Sequence, residues 1–276
     1  QSFLRVIGEG DLMIAISQSG ETIDTLIAMR KARERGARAI SIYKAIEAME
    51  YVVEELGCLD PRLTSIGDVY RDVLEIRVSM CEEPEHIFKE VVRSIEDSIG
   101  RRVRISRGSS GYGVGLRDLY RVLSETIEQD IRDLMKPFAL ETAYRGGVEY
   151  MSILLYSSKW VILEGEKHKV RVPWIDEAIA IAHTHPPENC IPSRPDLESC
   201  LELLSSGGVV CGIVSMGCMF TLSLESLPTE GDFEHLMRII NRYDEVLESL
   251  GERGLKGIEE IFSNRGGSLR ATIKAL

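Results

Sequence analysis

Two histidines stand two residues apart at the end of an apolar run, Ala178-Ile179-Ala180-Ile181-Ala182-His183-Thr184-His185. A proline-rich loop then leads to Ser193-Arg194-Pro195-Asp196. Side chains in an extended segment alternate between faces, so His183 and His185 project to the same side. Ser193 and Asp196 lie three apart where a helix is expected to begin, and that spacing turns both toward one point. Two neutral imidazole nitrogens and one carboxylate oxygen make a three-ligand zinc site with a fourth position open to water. Zinc brings the pKa of such a water down to about 7. The plainer reading of the same residues is an ordinary strand end, followed by Ser193 and Asp196 capping the next helix.

A second cluster, Ser17-Gln18-Ser19-Gly20-Glu21-Thr22, joins the apolar run Asp11–Ile16 to a segment with helical spacing. Hydroxyls and the backbone amides of a helix start can converge on a phosphate there. Serine-rich turns of this kind also serve simply as helix caps.

The elements that must position these groups fall into two textures. The run Asp11–Ile16 reads as a buried parallel strand. A helix from Ile23 that ends with Gly36 as its cap, and a second strand over 37–42, complete a βαβ unit. Residues 43–100 read as mostly helical, broken at Gly57, Pro61 and Pro84. A short strand at 103–106 and a helix carrying Leu116, Leu119, Val122 and Leu123 follow. Pro137 is the expected boundary, which divides the chain into residues 1–137 and 138–276. Beyond it, strands are expected at 148–156, 160–163, 178–182, 209–214 and 220–224. Helices are expected at 197–204, stopping at Gly207-Gly208, and at 233–250.

The chain has 276 residues, a length that suggests two domains, with 44% hydrophobic and 28% charged residues and a net charge of −11. The acidic excess is shared, with 20 acidic against 13 basic side chains over residues 141–276. No basic face suited to phosphate backbones stands out, so nucleic acid is not an expected partner. No apolar run approaches a membrane span and no signal peptide is visible, so a cytoplasmic protein without membrane contact is expected. In that reducing setting the six cysteines are expected to be buried free thiols rather than a disulfide framework, with Cys190 and Cys211 as the pair to consider. An exposed sheet edge in the first unit would favour pairing with a second copy of the chain.

His-Thr-His, seven residues beginning with Pro186, and Ser-x-x-Asp resemble the signature of the JAMM (JAB/MPN) metalloproteases over roughly residues 138–225. The resemblance implies zinc held by His183, His185 and Asp196, with Ser193 donating to the oxyanion. It also implies a glutamate base at the start of an apolar strand. Glu149 in Val148–Tyr156 fills that place, with Glu164 and Glu166 as competitors. The implied activity is zinc-dependent hydrolysis of an isopeptide or peptide bond, with ubiquitin-like or sulfur-carrier-like conjugates as partners.

The run from Asp11 to Leu26 resembles the sugar isomerase (SIS) domain, in particular that of glucosamine-6-phosphate synthase. The resemblance implies that Ser17, Gln18, Ser19 and Thr22 hold the phosphate of a hexose phosphate. Arg107–Tyr112 resembles the strand and loop that open a second such unit, but Arg117 and Ser124 stand where catalytic carboxylates belong, unless Glu125 shifts by one. Isomerase chemistry is therefore not expected, and a phosphosugar-binding or structural remnant is. Together the two resemblances imply an α/β protein: a partial three-layer αβα SIS-like unit with parallel strands, then a JAMM-like mixed sheet flanked by helices. A phosphosugar-binding (SIS) regulatory or sugar-phosphate isomerase-related protein with a non-catalytic MPN scaffold is the alternative to the zinc peptidase.

Overall fold

The computed structural model describes residues 22–65, 73–79, 81, 85–108, 113–167, 177–187, 190–264 and 266–276. The expected strand over residues 11–16 lies outside them.

The first described element is a helix, α1 (Thr22–Leu56), and it corrects the βαβ expectation: residues 37–42 are helical. Ala39, Ile42, Ile46, Met49, Val52 and Leu56 are all buried. Their spacing of three and four continues straight through the expected strand, so burial along one helical stripe decides the local structure. Gly36 is not a cap. A Cβ there would stand 2.9 Å from the Ser158 carbonyl oxygen, so the glycine lets α1 pass against that backbone.

Two strands follow where helix was expected, β1 (Leu59–Ser65) and β2 (Val73–Ser79). Leu74, Ile76 and Val78 alternate inward with Glu75 and Arg77 between them, a half-buried strand pattern. Helix α2 (Glu85–Ile99), β3 (Arg102–Arg107) and the two-residue β4 (Val114–Gly115) complete a four-stranded sheet in the order β3-β2-β1-β4. In it β2 and β3 run parallel and the other pairs antiparallel.

Helix α3 (Leu116–Tyr144) is unbroken through Pro137. It packs against α1 and β1 on one side and β5, β7, β8 and β9 on the other, so buried residues of both sheets join one core. The second sheet contains β5 (Val148–Leu155), β6 (Trp160–Lys167), β7 (Ala178–Thr184), β8 (Val210–Val214), β9 (Cys218–Leu224) and β10 (Leu269–Ala275). Their order is β10-β9-β8-β7-β5-β6. Only β7 and β8 run parallel, and α4 (Arg194–Ser205) is their crossover. The single helix expected at 233–250 is two, α5 (Glu230–Asn241) and α6 (Tyr243–Phe262).

Contacts assign the two faces of this sheet. Thr142 and Glu128 of α3 meet Thr184 and Thr221. On the opposite face Cys200 of α4 is disulfide-bonded to Cys211, and Phe262 of α6 stacks edge-on against Phe220. The chain is thus α/β with parallel and antiparallel strands. Among the described residues no helix is long and apolar enough to cross a membrane.

The free-thiol expectation is corrected as well. Three disulfides form, Cys58–Cys81, Cys190–Cys218 and Cys200–Cys211. Cys211 faces α4, and Cys190 instead reaches the turn before β9.

Candidate functional site

His183 is the sixth residue of β7, and the ladder fixes its neighbours as Met151 on β5 and Ile213 on β8. Its strand face is therefore the one carrying Met151, Ile153 and Cys211, and α4 packs over the β7–β8 part of it. His185 continues beyond the strand with its amide donating to the Val214 carbonyl at 2.9 Å, which keeps the chain extended for one more step. Both imidazoles thus turn toward the N-terminus of α4.

There Ser193 and Asp196 form a capping box. The Ser193 amide and hydroxyl both donate to Asp196 Oδ2 at 2.6 Å, and the Asp196 amide points back to Ser193 Oγ. The plainer reading and the metal reading meet in this residue, because the box that caps α4 also aims Asp196 Oδ1 and Oδ2 at the histidines. The Nε2 atoms of His183 and His185 are 3.1 Å apart. His183 Nε2 lies 3.1 Å from Asp196 Oδ1, and His185 Nε2 lies 3.3 Å from Oδ2.

These separations test the fit of a metal ion. A tetrahedral ion with bonds of about 2.0–2.1 Å has ligand-to-ligand edges of roughly 3.3–3.4 Å. The two imidazole nitrogens, and each nitrogen with the carboxylate oxygen facing it, are separated by close to such an edge; one donor atom from each residue lies within 4.8 Å of the others, and the side chains keep only 12–16% exposure. Burial alone would raise the Asp196 carboxyl, but hydrogen bonds from His183 and His185, the charge of His183 and the bond from Ser193 outweigh it. Together they hold the carboxyl far below the usual carboxylate range.

Glu149 is buried on β5. It is two residues before Met151, inside the slip of β5 against β6 between Val148 and Tyr150, about 7 Å along the strand from His183's direct neighbour. Glu164 pairs across the ladder with Tyr150, whose side chain belongs to the opposite face, and forms an exposed ion pair with Arg145 at 3.0 Å. Glu166 is also exposed. The Ser193 hydroxyl is engaged by Asp196.

Three supports carried no sequence signal. Tyr243, the first residue of α6, donates from its hydroxyl to the Pro192 carbonyl at 2.6 Å and holds the ligand loop from outside. Thr142 and Thr184 share a buried hydrogen bond at 2.6 Å, and the Tyr150 amide donates to Thr184 Oγ1, so β7, β5 and α3 are fastened beside His183. Cys218 anchors Cys190 in the same loop. Each depends on a partner more than 25 residues away, which spacing along the chain does not reveal.

Of the phosphate loop, Ser17, Gln18 and Ser19 lie outside the described residues, and Thr22 opens α1. The far half of that helix touches the second sheet. The Tyr43 hydroxyl donates to the Gly207 carbonyl after α4 at 2.9 Å, and the Tyr156 hydroxyl donates to Glu47 at 2.9 Å. Ser124 is buried, with its hydroxyl on the Leu224 carbonyl, while Arg117 and Glu125 are exposed.

Residues 1–46 match the family model described as SIS domain. The chain is 62% identical over 37 residues to the glutamine–fructose-6-phosphate aminotransferase (isomerizing) of Leifsonia xyli subsp. xyli, covering 13% of this chain and 6% of that protein. The enzyme of the same name from Thermotoga maritima is 55% identical over 40 residues, 14% and 7% of the two chains. That from Thermococcus kodakarensis is 23% identical over 159 residues, 55% of this chain and 26% of that protein. The chain spans about a quarter or less of the length of these relatives. No solved structure matches it significantly. These matches overturn the zinc metallopeptidase expectation, because the family model is that of the SIS domain and the relatives are aminotransferases, not peptidases. The ubiquitin-like partners rested on that expectation alone and lose their basis with it. The chain carries a SIS-domain match at its N-terminus whose last 25 residues, 22–46, lie in α1.

Proposed function

We propose that this chain is a phosphosugar-binding regulatory protein of SIS type, taking a hexose phosphate through Ser17, Gln18, Ser19 and Thr22. The observation that carries this reading is the 62% identity over 37 residues to an enzyme named for fructose 6-phosphate, together with the SIS match over residues 1–46. A hydroxyl-rich sequence directly preceding α1 suits a phosphate, since the first amides of a helix lack intrahelical partners and the helix dipole favours an anion there. Calorimetric titration of the full chain with fructose 6-phosphate tests it. Saturable heat is expected, with none for fructose. Ser17→Ala combined with Ser19→Ala should weaken binding roughly tenfold or more, as loss of charge-assisted hydrogen bonds implies. No heat with the phosphosugar at millimolar concentration would overturn the reading.

The C-terminal unit supports a second element of the same reading, a metal-binding scaffold. His183, His185 and Asp196 would hold a divalent cation, and two nitrogens with one oxygen suit zinc best. Bound there, zinc supplies positive charge between the two strand-end histidines and the cap of α4, with one coordination position left for an outside ligand. The residues of the chain do the rest. The β7 ladder orients the imidazoles, the capping box orients the carboxylate, and the Tyr243 bond holds the connecting loop. Metal analysis of purified protein tests this element. About one zinc per chain is expected, lost in His183→Ala, and a metal-free wild-type chain after zinc loading would contradict it.

A further inference from the structure

The ligand loop between His185 and Ser193 is fastened at Cys190, five residues after one proposed ligand and six before another. Its partner is Cys218, the first residue of β9. Cys190 is buried, whereas Cys218 is partly exposed and sits at the end of a tight turn whose residues Met216 and Gly217 are open to solvent. The Ser215 hydroxyl lies 3.3 Å from Cys218 Sγ. The other disulfide of this region, Cys200–Cys211, joins α4 to β8 with both residues buried. Noncovalent ties on the loop include the Tyr243 hydrogen bond to Pro192, the packing of Ile191 against the core and the capping box itself.

We propose that the Cys190–Cys218 disulfide is a thiol-exchange site that sets how tightly the triad holds its metal. The inference rests on the metal-binding reading above. Access decides which sulfur is attacked. The thiolate of a small or protein-borne dithiol attacks Cys218 Sγ, the S–S bond breaks, and its electron pair leaves on Cys190 Sγ, which takes up a proton. The second thiol of the reductant then attacks the mixed disulfide and releases Cys218 as a thiol. The reductant gives up two electrons and two protons and becomes a cyclic disulfide, while the chain gains two thiols. With the clamp open, the segment linking His185 to Ser193 and Asp196 loses its covalent tie to the sheet. Outer groups that orient ligands are worth ~10- to 100-fold in metal affinity, and a change of that size is expected here.

Cobalt(II), followed by its visible absorption, is the probe for the full-length oxidised chain. The same titration is run after treatment with a phosphine, which reduces disulfides without adding chelating thiols, and on a Cys190→Ser, Cys218→Ser double variant. Alkylation with mass mapping reports which pair opens first. The proposal expects Cys218 and Cys190 to label before Cys200 and Cys211, with cobalt affinity falling at least tenfold in both reduced chain and double variant. Cys58→Ser with Cys81→Ser should leave affinity unchanged. Equal cobalt affinity with the bridge open would overturn the proposal and leave the metal reading standing. An oxidised chain that binds no cobalt would remove both. Should the double variant not fold, the phosphine-reduced wild-type chain decides. Collapse of its far-ultraviolet dichroism on reduction would also overturn the proposal, since the bridge would then be a staple of the fold.

Discussion

The two sheets of this molecule are paired to different degrees. In the six-stranded sheet β10 follows β9 without a break from Leu269–Leu224 to Ala275–Cys218 and β7 follows β8 from Ala180–Val210 to Thr184–Val214, while β5 slips once against β6 and once against β7. In the four-stranded sheet β4 meets β1 only at Arg62–Gly115 and Leu63–Val114, and the β1–β2 register slips twice. A one-residue slip moves a side chain to the other face, so a site on β7 is placed by register while one beside β1 or β4 is not. His183 lies on the unbroken β7–β8 ladder, and Asp196 comes from a capped helix.

Both sheets nevertheless share α3 and one core, so they are expected to melt together. Phe220 is fully buried against Phe262, and Phe220→Ala should cost about 3–5 kcal/mol. Leu74→Ala, in the four-stranded sheet, should cost about 2–5 kcal/mol. Each should lower a single calorimetric transition; two separate transitions would break the picture of a shared core.

Asp196→Ala comes next in size. It removes a proposed ligand and half of a capping box, and zinc affinity should fall by about 100-fold or more while the fold persists. Unchanged zinc affinity would place the ion elsewhere. Ser193→Ala keeps the ligands and removes the cap, so about 1 kcal/mol of stability should go, measurable by urea unfolding.

The smallest expected effect concerns the seam between α1 and α3. Glu50 accepts a hydrogen bond from Tyr120 at 2.5 Å. Burial raises its pKa to about 7; the Tyr120 bond opposes this, while Glu54 and Glu47 add to it. A carboxyl raised in the folded state holds its proton there when the unfolded chain has already released it. Its contribution is present below the ordinary carboxylate pKa and is lost as pH rises toward 7. Melting temperature should therefore fall between pH 5 and pH 7.5. Glu50→Gln should flatten that fall and raise the neutral-pH value by about 2–4 °C. A pH profile unchanged by the substitution would remove Glu50 from the account.

The difference in pairing also explains what the sequence made legible. The strands expected at 148–156, 160–163, 178–182 and 209–214 carry dense apolar runs bounded by turn residues, and they were readable, with the helix expected at 197–204, to within a few residues of their ends. So were the triad and its cap, because His-x-His and Ser-x-x-Asp are local spacings on a strand and a helix start. The segment 37–42 misled because Ala-Ile-Ser-Ile suits a strand locally, while the stripe from Ala39 to Leu56 that makes it helical emerges only over several turns. The Leu74, Ile76, Val78 alternation was present but interrupted by arginine and glutamate, and β10 was hidden in a short polar-flanked tail. The disulfides were not legible, since pairing depends on which face α4 and the β9 turn present to each other.

The central claim concerns the N-terminal segment, and the phosphorus-31 resonance of fructose 6-phosphate titrated with the full chain addresses it most directly. The account predicts a line that shifts or broadens to saturation, reverses on adding excess inorganic phosphate, and stays fixed with the Ser17→Ala, Ser19→Ala chain. A resonance unmoved by the wild-type protein, or moved equally by both proteins, would contradict it.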